Sequence, residues 1–453
     1  MAYRYDIVKD IYKQAMALPK GDLQRDAKFF EALRIKMETD WAEARKIGPD
    51  ATPLDLFCKK HSVPSTLIER TVDELGTYAT IKRITQQKIE KKAKRLGLKD
   101  TDDITFSPKE AVDIVVNAFS AFDPDMERIV REAYQQGRIS FAPTIYGAES
   151  DLSGYAGDVP DDIERLPANL RRLPYVSVPF QPEQKLVYLD DLFMLAHECA
   201  HLAAFQKHRE RHPRTTENSY CINYPVQETF SLMGERLLHH YLINQPSKDA
   251  LWRYRINNEW LENIDLNLLS CAKMAEIQQK ISHEYEHNRA PLLDMQQIDV
   301  IAKETFPDKV NVWQDEVLLL RVPFYHTSYP LGVAASYALF ERWEKGSRAE
   351  KQQLARRWAH VQEMSGSLNF TQAMNADHMT IDIQGNNFLQ NALDDLETHE
   401  RNLEASLDEL YSERARSALH TRIKKGFVER ADRTRKPPAQ RGGNHDDRSH
   451  RSK

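Results

Sequence analysis

Residues 192–204 read LFMLAHECAHLAA and contain the motif H-E-x-x-H, in which His197 and His201 flank Glu198. Residues four apart lie on the same face of a helix, so both imidazoles can bind one zinc ion. The glutamate beside the first histidine is then placed to act as a general base toward water. No other residue of the stretch is charged, which predicts a helix that is buried on nearly all sides. Because buried ionisable groups need partners, we predict a metal ion that binds both histidines.

The same motif occurs a second time at residues 283–287, where His283 and His287 enclose Glu284. This copy contains a further carboxylate, Glu286, and polar residues follow it. Such surroundings are typical of a solvated helix end, and a short motif of this kind also arises by chance. We therefore predict that a metal binds at the first copy and not at the second.

A catalytic zinc usually has three protein ligands and keeps one position open for water. A third histidine six residues beyond His201 is excluded, because Lys207 stands there. His208 and His212 lie close by in a very polar stretch and are predicted to be loop residues. The third ligand is therefore expected elsewhere in the chain.

Glu228 is the predicted third ligand. It lies on an apolar helix predicted over residues 224–238, with Pro225 in the first turn. A glutamate among apolar neighbours is costly to bury unless it is paired or bound to metal. Glu235, seven residues on and on the same face, is predicted to orient a ligand histidine. Two alternatives stay open: Glu217 in a polar loop as the ligand, or Glu228 as a surface residue favoured by the helix dipole.

With these residues in view, the chain resembles the thimet-oligopeptidase and oligoendopeptidase F family of zinc peptidases. Glu228, Ser231 and Glu235 are similar to the family's third-ligand helix, which has a glutamate, a serine three residues later and a glutamate seven residues later. Residues 321–329, RVPFYHTSY, fall where the family has its His/Tyr substrate-binding segment. The resemblance spans roughly residues 88–375, and the family usually has glycine where Ala200 stands.

The resemblance implies a mainly α-helical, two-lobed zinc-peptidase fold with a small β-sheet beside the zinc helix. It implies one Zn²⁺ per chain and hydrolysis of internal peptide bonds. The expected partners are short peptides, as substrates. The residues to which it assigns roles are the zinc ligands His197, His201 and Glu228, the general base Glu198, and the oxyanion donors Tyr329 and His326. Tyr325 is an alternative donor. Two other functions stay open: a metallocarboxypeptidase of related helical fold, and a metal-binding or interaction protein with weak or no turnover.

Composition agrees with an ordinary globular protein. The 453 residues carry a net charge of −5 and 29% charged residues, which does not favour nucleic-acid binding. The cysteines stand far apart, so no disulfide framework is predicted; their positions are 58, 199, 221 and 271. No apolar run approaches the roughly 18 residues of a membrane span, so we expect no membrane association and a cytoplasmic location. The oligomeric state stays open.

Helical signals dominate the chain. Ser107 and Glu110 form a predicted capping box, and the helical spacing that follows residue 126 stops at Gly137. Strand patterns are confined to residues 139–145 and 175–180, with a loop predicted between residues 147 and 174. We predict three regions: an N-terminal helical region (1–100), a catalytic domain (101–427) and a disordered basic tail (428–453).

Overall fold

The computed structural model describes residues 2–19, 22–98, 104–141, 155–157, 167, 170, 173–178, 186–213, 223–246, 249–288, 294–307, 317–320, 323–376, 379–385 and 387–435. Within these ranges the α-helices are α1 (Ala2–Met16), α2 (Leu23–Ala44), α3 (Pro53–His61), α4 (Ser65–Arg95), α5 (Pro108–Ser120), α6 (Pro124–Gln135), α7 (Leu189–Arg211), α8 (Tyr224–Ile243), α9 (Ala250–Ile264), α10 (Cys271–Asn288), α11 (Met295–Thr305), α12 (Ser328–Lys345), α13 (Arg348–Glu363), α14 (Phe370–Asn375) and α15 (Asn387–Arg435). A π-helical turn, Asp265–Ser270, joins α9 to α10. The prediction of a mainly helical fold is confirmed.

The predicted helix boundaries around residue 107 are confirmed. The hydroxyl of Ser107 accepts a hydrogen bond from the backbone N–H of Glu110, and the Glu110 carboxylate accepts one from the Ser107 backbone. This reciprocal box satisfies two N–H groups that a helix start leaves free. Gly137, just beyond α6, has a φ of +72°, which glycine adopts without strain.

Five short strands lie between or beside these helices: β1 (Thr105–Phe106), β2 (Ile139–Phe141), β3 (Tyr155–Gly157), β4 (Tyr175–Val178) and β5 (Val187–Tyr188). β4 is the centre of a three-stranded sheet, parallel to β2 and antiparallel to β3, with Ile139 paired to Val176. β3 and β4 pack against α7, so the small sheet lies beside the helix that carries the motif, as predicted. β3 lies within residues 147–174, which the sequence analysis predicts to be a loop, so that prediction is wrong at β3. Of the two predicted strands, residues 142–145 and 179–180 lie outside the described residues.

The helix α7 is buried along most of its length, as the apolar stretch predicts. α7 and α8 contribute to a hydrophobic cluster that runs from Leu54 to Leu410 and takes in residues on both sides of position 100. A smaller cluster joins α1 and α2 to α10 and α11. The helices that form the site are therefore held by packing from many parts of the chain.

The C-terminal helix α15 extends to Arg435, beyond residue 427, at which the helical region was predicted to end. Residues 436–453 of the predicted tail lie outside the described residues. In the described part of the chain, no helix combines the length and apolar character that a bilayer crossing requires.

Candidate metal centre

The candidate metal centre lies between α7 and α8. His197 and His201 stand one helical turn apart on α7, with ring centres 4.9 Å from each other. On α8, Glu228 Oε2 lies 3.5 Å from His197 Nε2 and 3.7 Å from His201 Nε2. Among the described residues these three form the group whose ligand atoms all lie within 4.8 Å of one another and could hold a metal ion.

The spacing of the three side chains fits zinc. With zinc–ligand bonds of about 2.1 Å in a tetrahedral site, donor atoms are separated by about 3.4 Å. The two distances to Glu228 Oε2, 3.5 and 3.7 Å, are close to this value. Two imidazole nitrogens with one carboxylate oxygen are also a donor set that catalytic zinc sites use.

Glu228 is held in place by hydrogen bonds from both sides. Its side chain is nearly inaccessible, with the residue 2% exposed. The Tyr325 hydroxyl donates to Oε1 at 2.8 Å, and the Ser231 hydroxyl donates to Oε2 at 3.2 Å. Oε2 is the oxygen that faces both histidines. Glu228 is therefore a buried, oriented carboxylate and not a surface residue at a helix start, so the dipole alternative is wrong.

Glu235 contacts the first histidine from behind. Two turns of α8 separate it from Glu228, and its Oε1 accepts a hydrogen bond from His197 Nδ1 at 2.5 Å. A proton held at Nδ1 leaves Nε2, on the Glu228 side, as the ring nitrogen that can bind a metal. The His201 ring is fixed differently, because it stacks on Phe205 with 5.6 Å between ring centres.

The charges of the cluster depend on one another. Burial alone would oppose charge on both partners, but the hydrogen bonds between Glu228 and the two histidines outweigh it. They hold the pKa of Glu228 well below its usual range, and hydrogen bonds to Glu228 and Glu235 raise the pKa of His197 in spite of its burial. The protein thus keeps an anionic carboxylate facing two imidazoles, and a metal would replace the proton on His197 Nε2.

Glu198 lies beside this cluster without belonging to the ligand group. The residue is only 8% exposed, and burial raises the pKa of its carboxyl group, although the nearby His197 and His201 oppose that rise. A carboxylate whose pKa is raised is a stronger proton acceptor than an ordinary exposed glutamate. This is the property that a general base at the site needs.

Two glycines permit the close approach of the helices. A Cβ on Gly234 would lie 2.7 Å from the Ala200 Cβ and 2.9 Å from the Ala196 carbonyl oxygen. A Cβ on Gly332 of α12 would lie 2.8 Å from the backbone carbon of Glu228. Because Gly234 has no side chain, α8 can approach α7 although Ala200 carries a methyl group. Because Gly332 has none, α12 can pack against the backbone of Glu228. Sequence reasoning missed both glycines; a lone glycine inside an apolar helix was the available signal.

Of the residues considered as oxyanion donors, Tyr325 makes a contact with the ligand group in the described structure, through Glu228. The ring of Tyr329 lies against the ring of Tyr325, with 5.8 Å between centres. His326 is enclosed at 1% exposure in the same short turn, Tyr325–Thr327. The segment therefore reaches the metal centre, and its first tyrosine is in direct contact with a candidate ligand.

The polar stretch after the motif differs from its prediction. α7 continues to Arg211, so His208 is helical and buried, and the predicted loop is wrong there. Its Nδ1 is hydrogen-bonded to the Glu363 carbonyl oxygen at 2.8 Å, which accounts for its burial. Lys207 is buried in an ion pair with Asp123 and donates to Gln362 at 2.9 Å. Glu217, the alternative ligand, lies outside the described residues.

The second copy of the motif lies at the end of α10. His283 and Glu284 are exposed there, as the polar surroundings predicted. The side chain of His287 lies outside the described residues. No group of possible ligands that includes His283 or Glu284 is found in the described part of the chain.

Replacing His283 and His287 together by alanine is expected to leave metal stoichiometry and peptide hydrolysis close to those of the unmodified protein. The reason is the exposed position of His283 at the helix end. The matched variant replaces His197 and His201 and is expected to lose the metal. Elemental analysis of both purified double variants compares them directly. Loss of metal in the 283/287 variant alone would show that the metal binds at the second copy of the motif, contrary to the prediction.

No protein-family model matches the sequence. The chain is 28% identical over 181 residues to an oligoendopeptidase F homolog of Lactococcus lactis subsp. lactis (strain IL1403), an alignment that covers 36% of this chain and 28% of the relative. The plasmid-borne oligoendopeptidase F of Lactococcus lactis subsp. cremoris matches to the same extent. The aligned part is thus little more than a quarter of either relative.

Solved structures share the fold. The structure of PZ peptidase A with an inhibitor superposes with a TM-score of 0.61 at 15% identity, covering 85% of this chain and 67% of that one. Oligoendopeptidase F of Enterococcus faecium superposes with a TM-score of 0.50 at 13% identity, covering 89% of this chain and 62% of that one. In part of its sequence the chain is therefore similar to oligoendopeptidase F proteins, and it shares the fold of solved peptidase structures.

Proposed function

We propose that the protein is a zinc-dependent oligopeptidase that hydrolyses internal bonds of short peptides. The observation that carries the proposal is the convergence of His197 and His201 with Glu228 at the spacing of a zinc site, beside the buried carboxylate of Glu198. The relation to oligoendopeptidase F supports the same reaction. We assign this activity to residues 101–427.

One zinc ion per chain would be held by His197 Nε2, His201 Nε2 and Glu228 Oε2. When bound, zinc supplies positive charge that polarises a peptide carbonyl and makes water acidic enough to be activated at neutral pH. The protein supports this arrangement from outside the ligand group, through Glu235 on His197 and Tyr325 on Glu228.

Glu198 is the proposed general base. It accepts a proton from the attacking water as the oxygen adds to the peptide carbonyl carbon, and it then delivers that proton to the nitrogen of the leaving amine. Burial favours the first half of this cycle, because it raises the pKa of the Glu198 carboxyl group and so stabilises the protonated form that results from taking the proton of water.

Tyr329 and His326 are the proposed hydrogen-bond donors to the oxyanion that forms when the carbonyl is attacked. The contact of Tyr325 with both Glu228 and the ring of Tyr329 supports placing the segment next to the reaction centre. Tyr325 itself we assign a positioning role, because its hydroxyl already donates to the Glu228 carboxylate.

The test of the proposed function is product analysis with a peptide blocked at both ends, combined with elemental analysis of the protein. Internal cleavage by protein that contains one zinc per chain is the expected result. Release of single residues from unblocked C-termini, with blocked peptides left intact, would instead support a carboxypeptidase. Bound zinc without hydrolysis of any peptide would support a metal-binding protein.

Replacing Glu235 by alanine is expected to weaken metal affinity or hydrolysis by about 10–100-fold, as loss of a hydrogen-bond partner behind a ligand histidine does. The His197 ring would lose the acceptor at Nδ1 that fixes its tautomer and orientation. Competition for zinc with a chelator of known affinity measures the effect, and thermal unfolding shows whether the fold is retained. Glu31, an exposed glutamate in the middle of α2, is a control whose replacement should change neither quantity. An affinity within twofold of the parent would remove Glu235 from the site.

A further inference from the structure

Three tyrosines form a row that leads away from the metal centre. The rings of Tyr224 and Tyr325 lie 4.7 Å apart, and those of Tyr325 and Tyr329 lie 5.8 Å apart. All three are partly exposed, and Tyr325 connects the row to Glu228 through its hydroxyl group. Tyr224 begins α8 four residues before Glu228, about one turn, so this tyrosine and the candidate ligand share a face of that helix.

A lysine from the N-terminal region lies at the far end of this tyrosine row. The ammonium nitrogen of Lys60 is 5.2 Å from the centre of the Tyr224 ring, within the range of a cation–π contact. Since the next ring centre in the row is 4.7 Å from Tyr224, the ammonium lies within about 10 Å of the Tyr325 ring. Lys60 is exposed to solvent, so a ligand can reach it.

The lysine is held in this position by contacts between α3 and α8. The Asn223 side chain accepts a hydrogen bond from the Val226 backbone and so caps α8. The same side chain donates to the carbonyl oxygen of His61 at 3.1 Å. The fully buried His61 ring packs against Tyr224, with 5.3 Å between ring centres. The end of α3, and Lys60 with it, is thereby fixed against the start of α8.

The charge of Lys60 is not neutralised within the described structure. No carboxylate there forms an ion pair with it, whereas Lys46, Lys92 and Lys109 each pair with an acidic residue. Although the Lys60 side chain reaches solvent, its ammonium group loses part of its hydration, and this desolvation lowers its pKa. A partly desolvated cation beside an aromatic row attracts an anion more strongly than a fully hydrated lysine does.

We propose that Lys60 forms a substrate subsite that binds an anionic group of the peptide, either the C-terminal carboxylate or an acidic side chain. The inference rests on the proposed function and names the class of peptide that the site prefers. An extended peptide advances about 3.3–3.6 Å per residue, so about three residues span the distance of at most about 10 Å between the Lys60 ammonium and the Tyr325 ring. Since Tyr325 contacts the candidate ligand Glu228, we expect the anionic group about four residues from the cleaved bond. Tyr224 and Tyr325 provide the surface on which the intervening residues lie.

The test compares pairs of peptides that differ by one charge. One pair has a free or amidated C-terminus four residues from the cleaved bond. The other has glutamate or glutamine at that distance within a longer, blocked peptide. The protein is assayed alongside the variants Lys60→Met, which keeps the apolar stem, and Lys59→Met, which removes the neighbouring exposed charge of the same helix turn.

We expect kcat/KM to be about 5–10-fold higher for the anionic member of at least one pair, which corresponds to roughly 1–1.4 kcal/mol of charge pairing. Lys60→Met should abolish this ratio, mainly through KM, because the contact lies far from the reacting bond. Lys59→Met should retain it. The pair that shows the effect distinguishes a C-terminal carboxylate from an acidic side chain.

Binding of the same peptides to the Glu198→Gln protein gives a readout that needs no turnover. A preference that survives Lys60→Met in both assays overturns the subsite while leaving the proposed peptidase function intact. A lower melting temperature of Lys60→Met with an unchanged preference for the anionic peptide also overturns the subsite. It would show that Lys60 only stabilises the C-terminal end of α3. If the metal-loaded protein hydrolyses none of the peptides, the proposed function is overturned. The ratio of the affinities for the anionic and the neutral peptide then decides whether Lys60 forms a subsite.

Discussion

The Glu198→Gln variant is expected to bind one metal ion per chain and to hydrolyse peptides about 10²–10⁴-fold more slowly than the parent protein. This is the range that general acid–base catalysis contributes. Glutamine keeps the shape of the side chain but cannot accept and return the proton of the attacking water. The metal should remain, because the three-residue ligand group does not include Glu198. Elemental analysis and a quenched fluorogenic peptide measure the two quantities on the same preparation.

The second copy of the motif offers a matched control for this experiment. Glu284 occupies in that copy the position that Glu198 has in the first, but it is exposed at the end of α10. Glu284→Gln should therefore hydrolyse the peptide at the rate of the parent protein. Near-normal turnover by Glu198→Gln with the metal retained would eliminate Glu198 as the base.

The parts of the site that local pattern determines could be predicted from the sequence. The i, i+4 spacing places His197 and His201 on one face, and the apolar surroundings indicate burial, so no tertiary information is needed. Glu228 follows from the cost of burying a carboxylate on an apolar helix, and the structure gives it two histidines as neighbours. The helix boundaries at Ser107 and Gly137 depend on capping chemistry that is equally local.

Contacts between distant segments could not be predicted in this way. The position of Lys60 over Tyr224 depends on Asn223, which connects α3 to α8 across more than 160 residues of sequence. The burial of His208 depends on the Glu363 carbonyl oxygen in α13, so a polar stretch that reads as a loop is helical. The strand β3 has three residues, too few for an alternating pattern to be recognised.

Replacing Glu228 by alanine is expected to strip the metal from the protein and to abolish hydrolysis with it. The change removes one of three candidate ligands and the one that carries negative charge. It also leaves the Tyr325 hydroxyl without the acceptor to which it donates. The loss of zinc affinity should exceed the roughly 10–100-fold expected for Glu235, which supports a ligand without being one.

Two further variants make the result specific to the ligand. Glu228→Gln keeps the volume of the buried side chain, so a loss of metal in this variant is not due to a cavity, and circular dichroism checks that the helices remain. Glu217→Ala tests the alternative carboxylate and should retain one metal per chain. Full metal content in both Glu228 variants, together with its loss in Glu217→Ala, would move the third ligand from α8 to the segment that precedes it. The buried position of Glu228, with one oxygen facing both histidines, is the reason to expect the opposite.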